Sequence, residues 1–178
     1  DVVNDGGESI YYIHKEVPAD IQDVGLRTVK AFDVKSRFVH LEFFRLTQDQ
    51  EGLGKKGQVI ALEVNMRPCG GFTPDMINFS HSTDAYQIWA DMVAFDCRKQ
   101  ADVNDDYFCV YAGRRSGVEY HMSDAQILDK YAYAMKMTPI PSKTRIIIFV
   151  AFILFFVINL RLTGFYATNY AAKLQILF

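Results

Sequence analysis

Glu63, Asn65 and Arg67 stand at alternate positions in the stretch ALEVNMRPCGGFTPD, residues 61–75, and a Pro-Cys-Gly-Gly turn follows them. Alternate residues of a strand share a face, so an acid, an amide and a guanidinium are expected to project together. Upstream, RFVHLEFFRLT (37–47) reads as a strand in which Glu42 stands between Leu41 and Phe43. If the two strands pair with their polar faces together, Glu42 comes close to Glu63 and Asn65. Two adjacent carboxylates repel unless a cation lies between them. Two carboxylates and an amide oxygen are hard donors that suit Mg²⁺ or Mn²⁺, and such a site keeps positions open for phosphate oxygens. Arg67, one alternation further, would point at that phosphate. The same residues also read as the solvated face of an edge strand, with Arg67 paired to Glu63. Glu42, set in an otherwise core-like strand, weighs against that second reading.

The elements that must position these residues follow from periodicity. QVIALEVNMR (58–67) predicts a strand with Val59, Ala61, Glu63, Asn65 and Arg67 on one face and Ile60, Leu62, Val64 and Met66 on the other. In the strand before it Phe38, His40, Glu42, Phe44 and Leu46 share a face. The linker QDQEGLGKKG (48–57) has three glycines and mixed charges, which predicts a hairpin loop. Its GLGKKG lacks the G-x-x-x-x-G-K-[ST] spacing of a phosphate loop and reads as a solvated turn.

Further elements flank the hairpin. IYYIH (10–14) predicts a short strand. Ile21, Val24, Val29 and Phe32 predict an amphipathic helix from Pro18 to Phe32, and residues 68–74 predict a loop. TDAYQIWADMVAF (83–95) predicts a helix capped by Thr83 or Asp84, with Ala85, Ile88, Trp89, Met92 and Val93 on its core face. YFCVYAGR (107–114) predicts a strand and SDAQILDKY (123–131) a capped helix. His40 is expected to be a structural histidine, and Arg114 and Arg115 either reach an anionic substrate or sit in a solvated turn. The expected class is α+β, an antiparallel sheet with flanking helices followed by an apolar tail.

Composition narrows the function classes. The 178 residues carry a formal net charge of -2, half of them are hydrophobic and 14% aromatic. That balance fits neither a basic nucleic-acid surface nor a disordered acidic chain. Cys69, Cys97 and Cys109 are odd in number and unpaired in spacing, which predicts reduced thiols in a cytoplasmic protein and no zinc site. The chain opens on Asp1 and its first methionine is Met66, so its natural start is expected to lie upstream.

RFVHLEFFRL, the glycine-bearing hairpin, LEVNMRPCGGFTPDMINFSHSTDAYQIWADM and VYAGRR together resemble the ATP-grasp superfamily, specifically its carboxylate-amine ligase and biotin-carboxylase-like members. The similarity spans roughly residues 10–137. It implies the C-terminal lobe of an ATP-grasp domain over residues 1–141, with Mg²⁺ (or Mn²⁺) held by Glu42, Glu63 and Asn65 against ATP. It implies that Arg67 stabilises the transferring phosphoryl group, and that Gly70 and Gly71 let a substrate carboxylate approach the backbone. The implied reaction activates a small carboxylate as an acyl phosphate for attack by an amine. Relatives of this kind often pair as homodimers. The groups that grip adenine normally precede this segment, so the chain is expected to be a fragment carrying the metal end of the site.

The resemblance stops near Met137. From Ile146 to Ile158 thirteen consecutive residues are apolar, bracketed by Arg145 and Arg161. As a helix they would extend about 20 Å, short of the roughly 30 Å hydrocarbon core. Residues 142–178 are therefore read as an apolar tail with three candidate origins. These are a membrane segment at about 145–163, a buried core element, or a shifted reading frame. A membrane-tethered, catalytically silent binding module is the alternative to the ligase.

Overall fold

The computed structural model describes the elements of residues 10–101, 107–115, 118–137, 144–151 and 171–177. In chain order these are β1 (Ile10–Ile13), α1 (Ala19–Ala31), β2 (Phe38–Arg45), β3 (Val59–Asn65), α2 (Thr73–His81) and α3 (Ala85–Phe95). There follow β4 (Phe108–Arg115), α4 (Asp124–Tyr131), a 3₁₀ turn (Ala132–Ala134), β5 (Met135–Met137), β6 (Thr144–Ala151) and β7 (Ala171–Leu177). The strands make two small antiparallel sheets, β1-β4-β6-β5 and β3-β2-β7, with helices beside them. The class is α+β, as the residue pattern predicts.

The chain divides into two units. In the first, β1 and β4 pair from Ile10 opposite Ala112 to Ile13 opposite Cys109, and β6 runs along the other side of β4. Val110 packs there with Ile127 and Tyr131 of α4, while Ile10, Tyr12, Met122 and Met135 close the cluster. Ser123 starts α4 with a capping box, its hydroxyl accepting from the Gln126 amide and the Gln126 side chain accepting from the Ser123 amide. Residues 75–83 belong to this unit, and the Ser80 hydroxyl donates to the Tyr107 carbonyl just ahead of β4.

The second unit holds the β2–β3 hairpin. Val39, Leu41 and Phe43 alternate along β2 and pack on Ile21 and Val29 of α1, with Val59 and Val64 of β3 beside them. Arg45 Nη2 lies 2.6 Å from Asp20 Oδ2 and ties the end of β2 to the first turn of α1. That guanidinium holds the Asp20 carboxyl below its usual range. The hairpin loop is internally bonded: Asp49 accepts from the Lys56 amide at 2.8 Å and from Lys55 Nζ at 2.9 Å. The GLGKKG segment is thus a turn whose first lysine is committed to its own loop.

The structure departs from the sequence reading in four places. The loop predicted over residues 68–74 ends early, and Thr73–His81 form α2, whose first turn carries Pro74 and Asp75 where a helix start favours them. α3 starts at Asp84, whose carboxylate accepts from the Tyr86 and Gln87 amides. It buries Ala85, Ile88 and Met92 but leaves Trp89 48% and Val93 77% exposed, so the buried stripe is narrower than the apolar one. Phe32 sits past the end of α1 and is exposed. The described part of the apolar run is β6, an antiparallel neighbour of β4 and β5, and not part of a helix. Residues 152–163 of the expected membrane segment lie outside the described residues. Among the described residues no helix is long and apolar enough to cross a membrane.

Candidate functional site

β2 and β3 pair with His40 opposite Asn65, Leu41 opposite Val64 and Glu42 directly opposite Glu63. The two acids predicted to approach each other are therefore cross-strand neighbours on one face, with the histidine and the amide as the next pair along it. On the other flank of β2, β7 sets Gln175 at the register position of His40 and Lys173 at that of Glu42.

Beyond Glu42 the register shifts, and Phe43 faces Ala61, Phe44 faces Ile60 and Arg45 faces Val59. Leu62 is the extra residue of this bulge and is 53% exposed. A bulge sets two residues of one strand against one of the other, which reverses the alternation beyond it. This corrects the uniform face predicted for Val59, Ala61, Glu63, Asn65 and Arg67. Val59 packs with the α1 core, whereas Glu63 and Asn65 lie on the opposite face with Glu42 and His40.

The face grades from closed to open. His40 is 4% exposed, the Glu42 side chain 17%, Asn65 is half-buried and Glu63 is exposed. His40 Nε2 lies 3.2 Å from Glu42 Oε1. The Asn65 amide nitrogen is buried with no hydrogen-bond partner. Leaving such a group unmet costs about 1–3 kcal/mol. A half-turn of the amide exchanges its nitrogen and oxygen, so the same position can present an acceptor to a cation.

Arg67 follows β3 and is exposed, with Nη1 donating to the Pro68 carbonyl at 2.9 Å. In the turn after it, Gly71 has φ +62° and Gly70 has open space where a Cβ would stand. Only Gly71 needs glycine for its backbone. Gly71→Ala is accordingly expected to cost about 1 kcal/mol through left-handed strain, while Gly70→Ala leaves thermal stability unchanged. Paired melts check this, and a loss of more than about 1 kcal/mol at Gly70 would contradict the open space seen there.

Other candidates take structural roles. Arg114 is buried at 4% exposure, stacks over the Tyr120 ring at 4.1 Å, bonds the Met122 carbonyl and lies 3.1 Å from Asp124. This corrects the solvated turn expected at that position. Val110, Ala112 and Arg114 alternate along β4 and all are buried, a period that could have placed Arg114 inside. None of the three cysteines is in a disulfide; Cys97 is exposed and the other two are buried. Burial pushes the Cys109 thiol up to about 12, so it stays protonated and unreactive at neutral pH.

Among the described residues no three His, Cys, Asp or Glu side chains gather closely enough to cage a metal by themselves. Compared with protein-family models and with curated proteins, the chain finds no match.

Proposed function

We propose that the chain is part of an ATP- and Mg²⁺-dependent ligase of the ATP-grasp kind, the part that carries the metal end of the nucleotide site. The observation that carries this reading is the placement of Glu42 directly opposite Glu63, with Asn65 next along the same face. A like-charged pair set face to face costs stability, so it persists where it serves something else. A divalent cation bound to a polyphosphate supplies that use.

Glu42 and Glu63 would hold the metal, with Asn65 as the third donor. Held by these residues, a divalent ion would supply charge neutralisation for phosphoryl transfer. Arg67 lies past the carboxylates on an exposed stretch, free to swing from the Pro68 carbonyl onto the anionic oxygens of phosphate or acyl phosphate. The Gly70–Gly71 turn admits a carboxylate to the backbone. Phosphoryl transfer to that carboxylate gives an acyl phosphate and ADP, and attack by an amine releases phosphate and leaves an amide-like product.

The test is a set of thermal melts of the full chain with and without Mg²⁺ and millimolar ATP. Wild type is expected to gain stability only when both are present, by ligand linkage. Glu63→Gln removes one of two facing carboxylates. It is expected to raise the metal-free stability by about 0.2–1 kcal/mol and to abolish the Mg·ATP gain. These changes run in opposite directions, which no general loss of fold would produce. No Mg·ATP gain in wild type, or an equal gain in Glu63→Gln, overturns the proposal.

A further inference from the structure

We propose that the outer face of α3 is the docking surface for a second copy of this chain, an inference that does not depend on the metal reading of the hairpin. α3 inverts the usual order of an amphipathic helix, which keeps its charges outside and its apolar side chains in. Asp91, the one charged residue between Ala85 and Phe95, is buried and accepts from the Gln87 side-chain amide at 2.8 Å. Tyr86 and Trp89 are half exposed, and Val93 more so. These three recur at intervals of three and four residues and so form one stripe, which the exposed Ala90 and Ala94 widen on one flank.

An uncharged stripe offers nothing to a partner of opposite sign, and it escapes the like-charge repulsion that keeps identical surfaces apart. Area points the same way. The five side chains uncover about 500 Å² per copy, the upper range of apolar patches on a monomer. Two copies laid stripe to stripe cover about 1,000 Å², the lower limit of a specific interface and the size of a reversible one. Shape agrees as well. A twofold axis at the Trp89–Ala90 step runs the two helices antiparallel, setting each Trp89 against the small Ala90 of the second copy and each Tyr86 against its Val93. Large side chains then meet smaller ones, and the alanines let the helix axes approach to about 8–10 Å.

Trp89 is the only tryptophan of the chain, so a native fluorophore stands in the middle of the stripe. The experiment follows the full chain by sedimentation equilibrium and by tryptophan emission from about 5 to 500 µM. The mass is expected to rise from one chain toward two with a midpoint at about 10–100 µM, and the emission to move to shorter wavelength over the same range. Val93→Glu and Ala90→Glu each place two carboxylates in the contact, keep the fluorophore and are expected to weaken pairing by at least about 30-fold. Both positions are exposed, so both variants are expected to keep a cooperative melt. Phe32→Glu, at an exposed apolar residue past the end of α1, is expected to leave the midpoint unchanged. A monomer mass at every concentration overturns the proposal and leaves the stripe to a different chain. A rise in mass without the emission shift, or an equal loss in Phe32→Glu, places the contact elsewhere and overturns it too.

Discussion

Phe43→Ala is expected to destabilise the second unit by about 3–5 kcal/mol, the range for emptying a large aromatic site in a packed core. Phe43 is 1% exposed and lies in the cluster of Val39, Leu41, Ile21 and Val29 that joins β2 to α1. Removal of its ring takes away transfer energy and leaves a void lined by side chains already fixed on a strand and a helix. Since a domain holds only about 5–15 kcal/mol in all, such a loss would leave the hairpin barely folded. Urea unfolding followed by circular dichroism gives the number. A change below about 1 kcal/mol would mean that this face of β2 is not the packed one. Phe44, the next residue along, is 44% exposed and supplies the control. Its alanine variant is expected to lose far less.

The second large effect is expected at Arg114. One buried guanidinium stacks on Tyr120, bonds the Met122 carbonyl and faces Asp124, so it fastens three points of the segment leading into α4. Arg114→Ala leaves Asp124 without that partner and is expected to cost about 3–5 kcal/mol, because an uncompensated charge is expensive in a largely desolvated place. Arg114→Ala with Asp124→Asn removes the stranded charge and should recover part of the loss. A double-mutant cycle is expected to return a coupling of about 0.5–3 kcal/mol, and a coupling near zero would show that the pair contributes nothing beyond packing.

How much of this was legible beforehand depends on which forces act locally. The capping box at Ser123 and the Asp84 cap are written in adjacent residues, so their helices could be read directly. The hairpin could be read from alternating apolar residues and a glycine-rich joint. α2 could not, because a glycine pair precedes it and the buried stripe that would mark it is Met76, Ile77 and Ser80, one member of which is polar. Trp89 was misplaced for the converse reason: an apolar residue at helical spacing is a candidate for burial, yet which part of an apolar stripe is covered depends on what packs there. For the site, the pairing of Glu42 with Glu63 followed from strand alternation. The exchange of faces beyond them did not, since nothing in Ile60, Leu62 and Val64 says which one stands outside the ladder.

The bulge at Leu62 also separates two kinds of constraint within seven residues of β3. Below it, Val59 answers to α1 and the interior, where volume and shape decide what is accepted. Above it, Glu63 and Asn65 answer to charge and donor chemistry. The strand therefore packs Val59 and Val64 on the core while Glu63 and Asn65 keep the opposite face. An uninterrupted strand would have yoked the two together, each substitution on one face carrying the phase of the other.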